Sequence, residues 1–282
     1  MKVDVSVDRL ILYVEHVPVE RFQKFYDVLE FGERKGHIDR IIYYHSNDVK
    51  GYHYNLRVGQ GAGAVTIGYK HNSAYEREDG YTLRMECNPA KVNHNDRWFR
   101  LMFTKAFEKC RKYVKGIDIA FDIDVHISKV FPVSLTGKDL NYFRGTKYFG
   151  SRGEHGFMRI YDKKKELKEK QGIEIDEERT RIEFAARFCD GFTLQELAYM
   201  ELGIDKLYKV AVCDLDKLEG VVKACVIAVS SGQMDIKELS RTYRQKTKNA
   251  LDSMRLVGLD DALRSARGSI VETVKRYTVF KG

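Results

Sequence analysis

The segment "FMRIYDKKKELKEKQGIEIDEERTRIEFAARF", residues 157–188, contains two apolar stretches separated by a polar one. The outer stretches have the β-branched and aromatic residues typical of strands, and the polar middle is typical of a short helix or loop. Side chains of a strand alternate between its two faces, and neighbours on one face are about 7 Å apart. Arg159, Tyr161 and Lys163 therefore share one face of the first predicted strand, which places a phenol between two cations.

The sequence on both sides of this segment predicts an α+β fold, with a largely antiparallel sheet followed by a helical C-terminal region. Two helices are predicted before residue 192: "PVERFQKFYDVLEFG", closed by Gly32, and an amphipathic helix over residues 94–116. Beyond residue 192, segments that begin with Thr or Asp and end with Gly have helical periodicity. We therefore predict two domains, residues 1–192 and 193–282. The other strand candidates are "DRLILYVEHV", "RIIYYHSN", "YHYNLRVGQ", "AVTIGYKHN", "YTLRMECNP", "IDIAFDIDV" and "TKYFGSR".

Two parts of the strand-rich region resemble each other. In "VTIGYKH…YTLRMECNP" and in "FMRIYDKK…TRIEFAARF", a strand candidate is followed by a polar gap and a second strand with a central glutamate, Glu86 or Glu183. An internal duplication of the strand unit and chance similarity both account for this pattern.

The charge of the chain indicates an anionic partner. The 282 residues carry a formal net charge of +8, and 43% of them are hydrophobic, which is enough for a packed core. Residues 144–170 contain nine Lys or Arg against four Asp or Glu, and residues 241–282 contain ten against four. The first basic zone is also rich in aromatic residues, which favours nucleic acid over two solvated helix faces. No apolar run is long enough for a membrane span, and five widely spaced cysteines suggest a reducing compartment, so we expect a cytoplasmic protein.

Carboxylates lie in the middle of several predicted strands. In "GIDIAFDID", residues 116–124, period two places Asp118, Asp122 and Asp124 on one face. Glu183 and Glu86 occupy the centres of two other strands. Carboxylates at such positions are costly to bury unless they are paired with cations or bind a metal ion.

These carboxylates predict a metal site, because oxygen ligands suit Mg²⁺ or Mn²⁺. The candidate ligands are Asp118, Glu183, Glu86 and Asp122. The alternative is that each acid faces water or an arginine such as Arg181 or Arg84. His126 follows the aspartate strand and is a further candidate, although the sequence has no histidine motif of a metal site.

Tyr161 admits two interpretations. It is either a strand residue whose neighbours face water, or a nucleophile held beside a phosphate. A free phenol has a pKa near about 10, so attack on a phosphodiester needs a nearby base or cation, and the phosphate oxygens need positive partners. The candidate partners are Arg152, Arg159 and Lys163. Charge and spacing alone leave both interpretations open.

Together, "GIDIAFDID", "TKYFGSRGEHGFMRIYDKKKE" and "RTRIEFAARF" resemble the replication initiators of small Gram-positive rolling-circle plasmids, the Rep_trans group. This group also includes relaxases of conjugative elements and some phage initiators. The motifs lie between about residues 84 and 190. The family pattern R-x-D-x-A-x-D-D is matched at Asp118 and Asp122, but Gly116 replaces its arginine and Ile123 its last aspartate, with Asp124 next to it.

The resemblance implies a site-specific DNA nickase and strand transferase. Tyr161 lies in the family's R-I-Y-[DN]-K element and is the implied nucleophile, with Tyr148 of "YFGSR" as the competing tyrosine. The implied product is a 5′-phosphotyrosine and a free 3′-hydroxyl that primes synthesis. Arg181 and Glu183 match the R-x-E element, whereas Glu86 is a candidate ligand on the strand argument alone.

The resemblance also implies partners. Residues 1–192 become the catalytic domain and residues 193–282 a DNA-binding and dimerisation region that recognises a double-stranded plasmid origin. The nick site is expected to be single-stranded in an extruded cruciform. A homodimer and a host DNA helicase complete the expected partners. Two alternatives are a relaxase of a conjugative or mobilisable element with the same chemistry, and a non-catalytic DNA-binding regulator.

Overall fold

The computed structural model describes residues 2–36, 41–44, 54–58, 63–71, 80–92, 107–213, 217–230 and 233–278. The chain forms two compact units whose segments are interleaved along the sequence. Unit 1 comprises Met1–Val5, Ala120–Ala186 and Glu201–Ala266, and unit 2 comprises Ser6–Ile119, Arg187–Met200 and Arg267–Gly282. Each unit contains residues from both sides of position 192, and the predicted assignment of functions to residues 1–192 and 193–282 stays a prediction.

The described residues contain strands and helices in mixed order. The strands are β1 (Val3–Val17), β2 (Ile41–Tyr44), β3 (Tyr54–Val58), β4 (Val65–His71), β5 (Tyr81–Cys87), β6 (Arg111–Ile123), β7 (Val130–Ser134), β8 (Leu140–Phe143), β9 (Thr146–Phe149), β10 (Phe157–Asp162), β11 (Thr180–Phe192), β12 (Tyr208–Val212) and β13 (Arg255–Leu256). The helices are α1 (Val19–Arg34), α2 (Lys163–Gln171), α3 (Leu194–Leu197), α4 (Ile204–Leu207), α5 (Gly220–Ser230), α6 (Arg241–Ser253) and α7 (Leu259–Thr278). No helix among the described residues is long and apolar enough to cross a membrane.

The sheet of unit 2 has the strand order β2-β3-β4-β5-β1-β6-β11, and it shares β6 and β11 with unit 1. Each neighbouring pair of strands from β2 to β5 is antiparallel, and so is the pair of β5 and β1. Helix α1 buries Phe22 and Phe25. The ring of Phe22 packs 4.2 Å from that of Tyr81, and the ring of Phe25 packs 4.8 Å from that of Phe107. Aromatic contacts of this kind contribute most of the burial in a small core.

The sheet of unit 1 has the order β6-β11-β10-β9-β8, and its strands from β11 to β8 pair antiparallel. Behind it, the buried ring of Tyr208 packs against those of Phe149 and Phe184, and its hydroxyl donates to the carbonyl of Gly156. A second sheet, β13-β12-β7, packs with α5 and α6 around Phe131. The predicted α+β fold with a largely antiparallel sheet is therefore confirmed.

Residues 157–188 contain the predicted strands β10 and the first part of β11, and the polar stretch between them forms helix α2. Helix α2 begins because the Asp162 carboxylate accepts a hydrogen bond from the Lys165 backbone N–H at 2.9 Å. It ends at Gly172, whose φ of 67° is a left-handed conformation that glycine adopts without strain. The short helix lets β11 return antiparallel to β10, with Tyr161 opposite Arg181 and Arg159 opposite Glu183.

The two similar segments occupy equivalent hairpins. In β4 and β5, Thr66 lies opposite Glu86 and Gly68 opposite Arg84. In β10 and β11, the corresponding pairs are Arg159 with Glu183 and Tyr161 with Arg181. Strand order, register and the R-x-E spacing all agree, which favours an internal duplication over chance similarity.

Two local predictions differ from the structure in the residues that it describes. The helix predicted over residues 94–116 lies outside the described residues up to 106, and its last part is a turn followed by β6 from Arg111. Hydrogen bonding to neighbouring strands decides this segment, because β6 is central in the strand order and helical spacing is a weaker constraint. Gly32 does not end α1, because the helix continues to Arg34 and Gly36 has the positive φ of 69°.

Candidate active site

Tyr161 lies on β10, which pairs directly with β11, and its side chain is buried. Only 9% of the residue is exposed. Its hydroxyl donates a hydrogen bond of 2.7 Å to Oε1 of Glu183 on β11. Glu183 is 5% exposed, so the phenol and the carboxylate form a contact that is largely shielded from water.

Two of the three predicted cations surround this contact. The Arg159 guanidinium lies 5.2 Å from the centre of the Tyr161 ring, and its Nε donates to Oε2 of Glu183. The Lys163 amine lies 5.9 Å from the same ring and is paired with Glu166. The predicted strand alternation is confirmed for Arg159 and Tyr161, whereas Lys163 is the first residue of α2 and lies near the ring from the helix.

The third predicted cation, Arg152, lies exposed in the loop between β9 and β10. The hydroxyl of Tyr161 contacts Glu183 of β11 instead, and its ring lies near Arg159 and Lys163. Tyr148, the competing tyrosine, lies on β9 opposite Arg159, and its ring stacks at 6.3 Å on that of Phe157.

Burial raises the pKa of the Tyr161 phenol well above its ordinary value, and the charge and hydrogen bond of Glu183 raise it further. The nearby Arg181 lowers this pKa only in part. The phenol is therefore neutral at physiological pH. A neutral phenol is a poor nucleophile unless a base takes its proton during attack, and Glu183 already accepts the hydrogen bond of that proton.

Arg181 faces Tyr161 across the strand pair and is held by an aspartate of β6. Its Nε and Nη2 donate to the two carboxylate oxygens of Asp122 at 2.7 and 2.6 Å. This two-pronged geometry fixes the guanidinium plane. The position of the positive charge beside Tyr161 is therefore fixed by Arg181 of β11 together with Asp122 of β6.

The four predicted metal ligands are divided equally between the units. In unit 1, Asp122 contacts Arg181 and Glu183 contacts Arg159. In unit 2, Asp118 accepts a hydrogen bond of 2.5 Å from Arg187, and Glu86 pairs with Arg84 and Arg9. Arg9 and Arg187 were not predicted as site residues. Their contacts depend on how β1 and β11 pair with neighbouring strands, and the sequence pattern does not show this pairing.

This arrangement does not fit one ion bound by all four carboxylates. Asp118 and Asp122 are four residues apart in β6, which separates them by about 13 Å along the strand. Within the described part of the chain, no three Asp, Glu, His or Cys side chains are gathered as a metal site. His126 instead caps a 3-10 helix, where its Nδ1 accepts from the Ser128 backbone N–H.

Unit 2 contains the same R-x-E pair without a tyrosine at the equivalent position. Gly68 lies opposite Arg84, at the position equivalent to Tyr161 opposite Arg181. Although burial opposes it, the charges of Arg84 and Arg9 lower the pKa of Glu86. The hairpin of unit 2 therefore keeps the R-x-E spacing and an arginine partner for its glutamate, but it has Gly68 where the unit 1 hairpin has Tyr161.

Comparisons with known proteins give sequence relatives. No family model matches the chain. A replication initiation protein of Staphylococcus aureus is 26% identical over 199 residues, which cover 66% of this chain and 60% of that protein. Another protein of the same name and organism is 30% identical over 122 residues, 40% of this chain and 38% of the relative. The chain thus matches about 60% or less of the length of these relatives.

Among solved structures, a rolling circle replication initiator protein from Geobacillus stearothermophilus aligns with a TM-score of 0.39 and 15% identity, over 91% of this chain and 99% of that one. This score is too low to establish a shared fold. The sequence matches nevertheless confirm the resemblance found in the motifs, and the chain is a sequence relative of bacterial replication initiation proteins.

Proposed function

We propose that this chain is a plasmid rolling-circle replication initiator that nicks and rejoins one strand of its origin through Tyr161. The observation that carries the proposal is the buried hydrogen bond from the Tyr161 hydroxyl to Glu183, with Arg159 and Lys163 beside the ring. A structural tyrosine needs only a hydrogen-bond acceptor. A phenol with a carboxylate acceptor and two adjacent cations has the groups that phosphoryl transfer requires.

In the proposed reaction, Glu183 accepts the phenolic proton as the Tyr161 oxygen attacks the scissile phosphorus. The bond between phosphorus and the 3′-oxygen of the leaving nucleotide breaks, and that oxygen takes up a proton. The products are a 5′-phosphotyrosine and a free 3′-hydroxyl. Because one phosphoester replaces another, the same hydroxyl can attack the phosphotyrosine later and rejoin the strand without ATP.

Positive side chains would stabilise the negative charge on the phosphate during this exchange. Arg159 and Lys163 lie close enough to the ring to contact a phosphate that approaches the phenol oxygen. Both already pair with glutamates, so binding of DNA would exchange part of those ion pairs for phosphate contacts. Arg152, in an exposed loop, is suited to a backbone contact further along the strand.

Dependence on Mg²⁺ or Mn²⁺ stays part of the proposal. Asp122 and Glu183 are the predicted ligands that lie in the same unit as Tyr161, and a bound divalent cation would supply charge stabilisation at the phosphate. In the structure both carboxylates contact arginines, so the steps above use only residues of the chain. Comparing nicking with and without each cation tests this dependence.

The proposed partners follow from the same activity. The double-stranded plasmid origin would be bound first, and its single-stranded cruciform loop would carry the nick site. The basic residues of helices α6 and α7 are candidates for duplex phosphate contacts. A homodimer, a host helicase and a cytoplasmic location complete the proposal.

The test is formation of a covalent adduct on supercoiled origin plasmid. Purified protein is expected to nick the plasmid and to remain attached to the 5′ end, and Tyr161→Phe is expected to bind the same DNA without forming an adduct. Tyr148→Phe is the matched control and should retain the adduct. An adduct formed by Tyr161→Phe would refute the assignment, and preference for a transfer origin would identify the relaxase alternative.

A further inference from the structure

The hairpin formed by β8 and β9 ends in a tight turn that carries exposed aromatic residues. Arg144 and Gly145 form its two-residue tip, with φ of 48° and 82°. Positive φ at both positions is the type I′ geometry, which matches the twist of the paired strands. Phe143 and Thr146 pair directly before and after the tip. The tip is therefore a defined element of the fold with a fixed register.

The aromatic side chains at this tip are unusually accessible. Tyr142 is 69% exposed and Phe143 is 61% exposed. The Arg144 guanidinium lies 5.1 Å from the centre of the Phe143 ring. Consecutive strand residues point to opposite faces of the sheet, so Phe143 is the exposed aromatic residue on the face that it shares with Thr146. A cation stacked on an exposed ring favours an anionic partner that has flat aromatic groups.

The register of the sheet places this tip close to the candidate nucleophile. Ile160 lies opposite Lys147, so the next residue, Tyr161, is level with Thr146, which pairs with Phe143. Phe143 and Tyr161 thus belong to one cross-strand row, on β8 and β10. Two strand spacings separate them, about 10 Å. Nucleotides of one DNA strand are about 3.4 Å apart along the duplex axis, so a strand of a few nucleotides spans this distance.

The next row of the same face is also aromatic. Tyr148 lies opposite Arg159 on one side and Asn141 on the other. Its ring stacks on Phe157 with an angle of 28° between the ring planes. The face that carries Tyr161 and Arg159 therefore continues through Tyr148 to the edge strand β8.

We infer that this aromatic face, formed by Phe143, Arg144, Tyr148 and Phe157, binds single-stranded DNA next to the scissile phosphate, with bases stacked on the rings. The inference rests on the proposed function and names the surface that positions its substrate. Proteins that bind single strands combine aromatic platforms with cations that contact the backbone. Arg144 and Arg159 supply such cations at the two ends of the surface. Duplex DNA presents its bases edge-on, so the surface is specific for unpaired strands.

The experiment measures binding of short fluorescent oligothymidine and of a duplex of equal length to the full chain. Phe143→Ala is expected to weaken single-strand binding roughly tenfold, because loss of one base stack costs on the order of 1–3 kcal/mol. Duplex binding should stay unchanged. Phe143→Trp should keep the affinity, whereas Phe143→Leu, which is apolar without a flat ring, should lose it. The matched control is Tyr199→Ala in unit 2, an 82% exposed aromatic residue outside this surface.

Several outcomes separate this inference from the proposed function. Unchanged single-strand affinity of Phe143→Ala overturns the inference, even if the wild-type chain forms the Tyr161 adduct. Equal loss of duplex and single-strand binding also overturns it, because a stacking site would not affect both. Failure of the wild-type chain to form an adduct, with single-strand binding still dependent on Phe143, refutes the nicking proposal alone. Circular dichroism of each variant checks that the hairpin change leaves the fold intact.

Discussion

At the scale of single residues, the central feature is the contact between Tyr161 and Glu183. A carboxylate on a neighbouring strand accepts the hydrogen bond of a phenol whose pKa is raised, first by burial and then by that carboxylate itself. The same glutamate pairs with Arg159, so the orientation of its two oxygens is fixed from two sides. The residue predicted as a metal ligand therefore has the geometry of a proton acceptor.

Replacing Glu183 by glutamine tests this role. Glutamine keeps the shape and can still hydrogen bond the Tyr161 hydroxyl, but it cannot accept the proton. We expect adduct formation on origin plasmid to slow by about 10²–10⁴-fold, with single-strand affinity unchanged. A time course of adduct formation on gels measures the rate. A rate equal to that of the wild type would show that another group takes the proton.

The pair of Arg181 and Asp122 predicts an effect on stability. Both side chains are mostly buried, so Arg181→Met leaves an unpaired carboxylate and should destabilise the chain by about 3 kcal/mol in urea unfolding. The double variant Arg181→Met with Asp122→Leu removes both charges and should recover most of that loss. Equal destabilisation by the single and double variants would mean that the pair contributes through packing alone.

At the scale of elements, strand β9 contains a lysine in a position that disfavours its charge. Burial lowers the pKa of Lys147 to about 8. Its amine donates to the Val130 carbonyl at 2.9 Å and lies 5.7 Å from the centre of the Phe131 ring. Burial at this position of β9 therefore destabilises the charged form of Lys147.

The pH dependence of stability follows from this lowered pKa. Below about pH 8, Lys147 is charged in the folded and the unfolded chain, and burying the charge costs stability. Between pH 8 and the unfolded pKa of about 10.4, the folded form loses its proton first and this cost disappears. Lys147→Met should therefore stabilise the chain at neutral pH, by an amount on the order of 1 kcal/mol, and the gain should shrink toward pH 10. Urea unfolding at several pH values measures it, and a gain independent of pH would contradict the mechanism.

The equivalent hairpins show how elements of one shape differ in chemistry. The pairs β4–β5 and β10–β11 share the register and the R-x-E spacing, but Gly68 stands where unit 1 has Tyr161. An internal duplication in which only the unit 1 hairpin has a tyrosine at this position accounts for the difference.

At the scale of the whole molecule, several tyrosines have raised pKa values. Burial raises the pKa of Tyr208 to about 12, and burial with a hydrogen bond to Glu15 raises that of Tyr113 to about 12. Tyr161 and Tyr277 are raised further, mainly by burial. These phenols belong to both units, so alkaline pH affects the chain as a whole.

The folded chain should therefore lose stability above about pH 10. A phenol with a raised pKa contributes stability that is complete below the unfolded value of about 10 and is lost as pH rises through the folded value. The slope is at most about 1.4 kcal/mol per pH unit for each such tyrosine. Urea unfolding between about pH 9 and pH 11.5 measures it. Tyr208→Phe should lower the slope, and an unchanged slope would show that Tyr208 ionises equally in both states.

Which side chains lie on the same face of a strand could be predicted from the sequence alone. Strand alternation places Arg159 and Tyr161 on one face because side chains of an extended chain repeat every two residues, and the structure confirms this. Lys163 also lies near the Tyr161 ring, although it is the first residue of α2. The ends of the helix between β10 and β11 also depend on nearby residues only, because Asp162 caps its start and Gly172 ends it. The resemblance to replication initiators also came from contiguous motifs.

Only the tertiary structure decided which residues from different strands meet. Strand pairing brings Glu183 to Tyr161, Asp122 to Arg181 and Asp118 to Arg187, and no spacing along the chain encodes these contacts. The segment after residue 110 became a strand because its neighbours in the sheet supply hydrogen bonds that a local helical pattern cannot anticipate. The physical reason is common to these cases: local sequence fixes the direction of each side chain, whereas its partner depends on strand pairing between distant segments.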